Sequence, residues 1–327
     1  MAYQSVGRPR FFINVLEWLN VSGVGQYHSV FHTLPVAPII PTSQEMLNEP
    51  SFQSGLLNEQ SFQMLLGHNL NSSSSKLAFE YLDGQNFTNH GNFVNNSYPF
   101  ATPDYNGWSL ITFDGAGTDN WRVFWTGSGV MKVGSIVIGS YYDMPISPNL
   151  SLTMSREYGS TNEFTTYNGS SMSNTMNNSA PQWGDLGAWE LGSSNPAFSK
   201  SGRRTWQLKF SYMDDGDLWG SNQSLATGEW GGVAYDNNGN QVLDDGDFHT
   251  GGNSQSTFNQ ELLSDNNFFS QVWQKTLGMT IPCIFQPDSS NSNPDQFAIV
   301  RGVSNSLKAT QSAFNVYDIS LSIEEVW

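Results

Sequence analysis

Polar and apolar residues alternate most strictly in two segments. In Thr205-Trp206-Gln207-Leu208-Lys209-Phe210-Ser211-Tyr212, the residues Trp206, Leu208, Phe210 and Tyr212 share one face and four polar residues share the other. That is the period of a strand with one buried side. Tyr317-Asp318-Ile319-Ser320-Leu321-Ser322-Ile323-Glu324 repeats the pattern, with Tyr317, Ile319, Leu321 and Ile323 on the apolar face and Trp327 behind them. Such a segment is expected in a sheet or an interface. Phe297-Ala298-Ile299-Val300 also reads as a strand. Upstream, Leu110-Ile111-Thr112-Phe113, Trp121-Arg122-Val123-Phe124-Trp125 and residues 130–139 are separated by glycine-bearing turns at 114–117 and 126–129, the grammar of antiparallel hairpins.

Helical spacing occurs twice. Phe12, Val15, Leu16 and Leu19 fit i, i+3, i+4, i+7 and predict a short N-terminal helix, although a strand fits the segment too. Phe268, Phe269, Val272, Trp273 and Leu277 predict a second helix, with Ser264 and Asp265 as candidate caps and Gly278 as its stop. A ten-residue echo from 48 to 66 places Phe52, Leu56, Phe62 and Leu66 against one core. It is too short to found a repeat architecture. Pro35, Pro38 and Pro41 recur every third residue and predict an extended connector, whereas Pro145 and Pro148 interrupt strand pairing and suggest a boundary. The expected organisation is a helix or arm with its connector over 1–41, a first β-rich domain over 42–145, and a second sandwich-like domain with one helix over 146–327. The fold class is therefore mostly β, two antiparallel sandwich-like domains with minor helical elements.

Composition supports that reading. Of 327 residues 38% are hydrophobic, enough for one large core or two ordinary ones. The 31 Gly and 14 Pro interrupt nearly every apolar run, which favours short strands and turns. Thirteen basic against 29 acidic side chains leave a net charge of −16, which repels phosphate backbones and argues against nucleic-acid binding. The apolar run over 11–19 is broken by Asn14 and Glu17 and makes a poor signal peptide. Nothing approaches about 18 unbroken apolar residues, so membrane insertion is not expected. Cys283 is the single cysteine, which excludes an internal disulfide or a thiolate metal cluster.

Two turns concentrate charge, Asp214-Asp215-Gly216-Asp217 and Asp244-Asp245-Gly246-Asp247. Around the second, Asp236, Asn238, Asn240 and Asp247 fall at positions 1, 3, 5 and 12 of an EF-hand-like calcium loop. Gln241 stands where such a loop wants glycine, and Asp-Gly turns between strands need no metal, so solvated turns are the alternative to calcium. The chain's carboxylates and many Trp and Tyr are compatible with a glycoside hydrolase, but no acid pair stands in a motif that separates a general acid from a nucleophile. Among the histidines only His28 and His32 are spaced i, i+4, without the His-Glu-x-x-His context of a zinc protease. There is no Gly-x-Ser-x-Gly elbow and no phosphate-binding loop. No catalytic residue and no obligatory cofactor are assigned. A surface rich in amides and hydroxyls but poor in charge suits extensive contacts with further copies of the chain or with sugars.

Several phrases resemble structural proteins of tailed bacteriophages, especially those of marine phages. They are Gly134-Ser135-Ile136-Val137-Ile138-Gly139, then Tyr142-Asp143-Met144-Pro145 and Ser147-Pro148-Asn149-Leu150. Thr153-Met154-Ser155-Arg156-Glu157-Tyr158, Ser201-Gly202-Arg203-Arg204-Thr205-Trp206 and the ending from Ser306-Leu307-Lys308-Ala309-Thr310 to Trp327 continue the likeness, with Arg8-Pro9-Arg10-Phe11 a fainter echo. The regions 158–180 and 228–252 depart from it. The resemblance implies a non-enzymatic virion protein, a homo-oligomeric tail or tail-tip component assembled in the host cytoplasm. Its partners would be itself, other virion proteins and a host surface glycan. The rival expectations are a carbohydrate- or receptor-binding module, a capsid decoration protein and a secreted glycoside hydrolase.

Overall fold

A computed structural model describes residues 7–23, 29–34, 40, 45–46, 60–70, 76–83, 86–89, 100–101, 107–113, 121–126, 132–150, 153–157, 161–175, 202–219, 234–235, 241–242, 248–251, 255–258, 266–293 and 296–326. In the N-terminal half the strands are β1 (Arg10–Asn14), β2 (Glu45–Met46), β3 (Ser61–His68), β4 (Lys76–Asp83), β5 (Asn86–Asn89), β6 (Phe100–Ala101), β7 (Gly107–Phe113), β8 (Trp121–Thr126) and β9 (Ser135–Asp143). Next come β10 (Thr153–Glu157), β11 (Thr161–Thr165), β12 (Ser171–Thr175), β13 (Arg203–Asp214), β14 (Ala234–Tyr235), β15 (Gln241–Val242), β16 (Phe248–Gly251) and β17 (Gln255–Phe258). The last are β18 (Cys283–Gln286), β19 (Ala298–Gly302), β20 (Ala309–Ala313) and β21 (Val316–Glu325). Helices are few: α1 (Val15–Val21), α2 (Asp215–Leu218), a 3-10 turn at Ser29–Phe31 and a π-helix at Phe269–Gln274. The chain is mostly β, as its alternation predicts.

Ten strands form one antiparallel sheet, ordered β10-β13-β21-β19-β18-β1-β9-β3-β7, with β20 on β21. β1 lies near its middle, between β18 and β9. The sheet takes strands from both sides of residue 145 and is continuous across the division expected there. Pro145 and Pro148 follow the end of β9, where they interrupt no ladder.

The N-terminal helix begins later than its spacing implies. Residues 10–14 are extended, with Phe12 on one face of the sheet and Phe11 and Ile13 on the other. Three consecutive large apolar residues are satisfied by a strand covered on both sides, which helical spacing alone does not reveal. Asn14 then ends the strand and caps α1, its Oδ1 accepting from Glu17 N at 3.3 Å. Gly139 on β9 lies opposite Asn14, and a Cβ built there would sit 1.8 Å from the Ile13 carbonyl oxygen. Only glycine lets these two backbones approach so closely.

Against one face of the sheet, β4 and β8 of a second sheet set Leu77, Phe79, Val123 and Trp125 on Leu65, Ile111, Ile136 and Ile138, beside α1. At the other end of that face, the π-helix packs Phe268 and Val272 onto Phe11, Trp206, Phe210 and Phe285, fulfilling the expectation of one helix on a sheet. Just before it, Asn267 Oδ1 accepts from Ser270 N at 2.8 Å; Ser264 and Asp265, the candidate caps, lie outside the described residues. Of the echo residues, Phe62 and Leu66 share one buried face of β3; Phe52 and Leu56 lie outside the described residues, as does nearly all of the proline connector.

β13 and β21 pair as their alternation requires, Trp206 opposite Ile323, Leu208 opposite Leu321 and Phe210 opposite Ile319. All six side chains are buried. Tyr212 departs from the expected face. A bulge shifts the register after Phe210, Tyr212 adopts φ 63°, and its ring turns outward to 77% exposure while Met213 takes the inward place. β21 is also pinned by a buried ion pair, Arg204 Nη2 to Glu325 Oε1 at 2.8 Å and Arg204 Nε to Glu325 Oε2 at 3.0 Å.

Candidate functional site

Asp236, Asn238, Asn240 and Asp247, the candidate calcium ligands, lie outside the described residues. The other Asp-rich turn is described and does structural work. Asp214 Oδ1 accepts from Asp215 N at 2.8 Å as the cap of α2. Burial and the neighbouring Asp214 raise the pKa of Asp217, whose backbone oxygen accepts from the Tyr142 hydroxyl at 3.1 Å. Among the described residues no group of three or more His, Cys, Asp or Glu side chains is placed to hold a metal ion. His32 Nε2 lies 3.1 Å from Asn20 Nδ2, and His28 lies outside the described residues. Cys283 is fully buried, and burial together with Glu17 pushes its thiol up to about 12, far from a reactive thiolate.

Two places carry chemistry that the packing does not explain. The first is a sheet edge. β10 is the terminal strand of the main sheet, and four of its five residues are exposed. A gap of only three residues separates it from β11, which among the described residues pairs with β12 alone as a two-stranded ribbon. Phe164 and Met172 face each other across that ribbon at 55% and 52% exposure, and Tyr167 at its turn is fully exposed. A two-stranded ribbon is marginal in water without a covering surface, and here its apolar pair faces solvent.

The second is buried. Asn267, Ser270, Gln271 and Lys275 recur at the same three- and four-residue intervals as the apolar side of the π-helix, giving a contiguous polar stripe. All four are at most 1% exposed. Lys275 Nζ donates to Gln271 Oε1 at 2.7 Å, and Gln271 Oε1 lies 3.5 Å from Ser140 Oγ on β9. Ser140 is opposite Ser61 on β3, and Gln63 lies two residues along the same strand. Gln63 Nε2 and Oε1, Asn267 Nδ2, Ser270 Oγ and Gln274 Oε1 are buried without a hydrogen-bond partner. Burial alone draws the Lys275 ammonium down to about 8. Beyond this stripe the backbone turns left-handed at three successive residues, Leu277, Gly278 and Met279, with φ of 51°, 70° and 59°. Thr276 holds that turn, its Oγ1 accepting from Met279 N at 2.9 Å.

Sequence reasoning found the apolar side of this helix and missed the polar one. The available signal was the regular spacing of amides and a hydroxyl leading to Lys275, in a chain with few charges. No family model, no curated protein and no solved structure matches this chain.

Proposed function

We propose that this chain is a non-enzymatic structural protein of a tailed-phage virion, acting as a homo-oligomer in the tail or tail tip. Its sequence phrases support that reading, and the observation that carries it is the exposed apolar pair on the ribbon of β11 and β12, which follows by three residues the strand β10 that ends the main sheet among the described residues. A neighbouring copy laid on this ribbon would cover Phe164, Tyr167 and Met172 and could extend the sheet at β10. Contacts with other virion proteins and a host surface glycan belong to the same reading.

Mass photometry of the intact chain tests it, together with immunogold microscopy of virions. The wild type is expected as a closed oligomer, and Phe164→Ser combined with Met172→Ser as a monomer of unchanged thermal stability. Gold on the tail supports the full reading. Gold on the head makes the chain a decoration protein. A monomeric wild type that labels no particle overturns the proposal, and glycan-array binding by that monomer would favour a free sugar-binding module.

A further inference from the structure

Up to the bulge, β13 and its neighbours turn one side to the core and the other to solvent. On the solvent side Gln207 stands between Thr153 of β10 and Ser322 of β21, and Lys209 stands opposite Ser320; all five are exposed. One row further on, the hydroxyls of Ser155 and Thr205 hydrogen-bond across the strands. Charges on this side occur in opposed pairs: Glu157 is opposite Arg203, Glu324 is opposite Arg301, and Lys209 Nζ lies 4.0 Å from Asp318 Oδ2. In a chain of net charge −16 these pairs leave the face balanced, with no surplus charge to select a charged ligand. Hydroxyls and amides, in place of the apolar centre of a stable protein interface, suit a ligand that itself carries many hydroxyls.

Tyr212 stands at the end of this face. Its φ of 63° is a conformation that glycine takes at little cost and a residue with a Cβ does not, and its 77% exposure returns little packing. Asp318 holds that conformation, its Oδ1 accepting from Tyr212 N at 3.1 Å while its Oδ2 faces Lys209. Strain that neighbours maintain without a packing return marks a binding position better than a structural one. An exposed phenol ring offers a flat face for the C–H side of a sugar ring, and the carboxylate and ammonium beside its backbone offer an acceptor and a donor for sugar hydroxyls.

We propose that Tyr212 and the balanced polar face of β10, β13 and β21 bind a neutral oligosaccharide, with one sugar ring stacked on Tyr212 and the next rings hydrogen-bonded along Lys209, Ser320 and Gln207. The inference rests on the proposed contact with a host surface glycan and gives that contact a place and a ligand class. Each copy presents one such face, so a homo-oligomer binds a glycan-bearing surface with an avidity that a single weak site lacks.

A glycan array carrying neutral, sialylated and sulfated oligosaccharides, probed with the intact chain, provides the test. Neutral glycans are expected to bind, with Tyr212→Gly raising the concentration for half-maximal binding about tenfold and Tyr212→Phe leaving it within about twofold. Tyr212→Gly relieves the backbone and should melt no lower than wild type, so its loss of binding reads the ring and not the fold. Binding confined to sialylated or sulfated glycans overturns the site, as does equal binding by Tyr212→Gly. A chain that forms oligomers and labels tails yet binds no neutral glycan overturns this site and leaves the virion reading standing. A monomer that labels no particle but binds neutral glycans through Tyr212 keeps the site and overturns the virion reading.

Discussion

His68 on β3 is a buried imidazole whose tautomer is fixed by its neighbours. Leu70 N donates to Nδ1 at 3.3 Å, so Nε2 carries the proton and donates to Ser109 Oγ at 3.0 Å. Burial lowers its pKa to about 4. The unfolded imidazole takes its proton near 6.5 while the folded one resists until about 4, so stability from this group is lost as pH falls across that window. The loss should reach about 3 kcal/mol, read as the difference between wild type and His68→Asn in urea unfolding at pH 7 and pH 4. Lys275 acts in the opposite pH range with a consistent sign. Its folded pKa of about 8 lies below the unfolded 10.5, so the unfolded chain binds more protons between those values and stability rises with pH through them. Lys275→Met should therefore be the more stable protein at pH 7 by about 3 kcal/mol. Its advantage should shrink as pH approaches 10.5, and a constant advantage across that range would show that folding does not lower the pKa of Lys275.

Among the elements, β13 and β21 show how local pattern and tertiary constraint divide their work. Alternation placed Trp206, Leu208 and Phe210 inward, and the structure agrees up to the bulge. At Tyr212 the left-handed φ of 63° is unfavourable for a residue with a Cβ, and the exposed ring returns little packing. Tyr212→Gly is therefore expected to raise stability by up to about 1 kcal/mol, a rise in the urea midpoint at constant slope. At the far end of the pair, Arg204 and Glu325 satisfy each other in the interior. Breaking the pair leaves a charge buried without its counterpart, so Glu325→Gln should cost about 3–5 kcal/mol. The double variant Arg204→Met with Glu325→Leu should recover most of that loss. A double-mutant cycle with no coupling would show that the pair contributes nothing to fixing β21.

For the whole molecule, the main sheet is assembled from distant segments: β1 lies between β18 and β9, and β13 reaches the C-terminal β21. Deleting residues 318–327 removes most of a strand that pairs with β13, β19 and β20 together, so soluble folding should be lost. A truncated chain with a wild-type circular dichroism spectrum and cooperative unfolding would show β21 to be dispensable. The sequence by itself determined the β class, the buried faces of β13 and β21, and the apolar side of the π-helix, because each is written in side chains within a few residues of one another. Only the tertiary structure decided the strand order, since pairing between β1 and β18 depends on what the intervening chain brings together. It alone placed Phe12 in a strand, because a short apolar run satisfies either period until both of its faces are covered. It alone turned Tyr212 outward, since a bulge depends on the partner strand's register. It also buried Lys275, because a polar stripe reads the same whether water or a second layer of protein will lie against it.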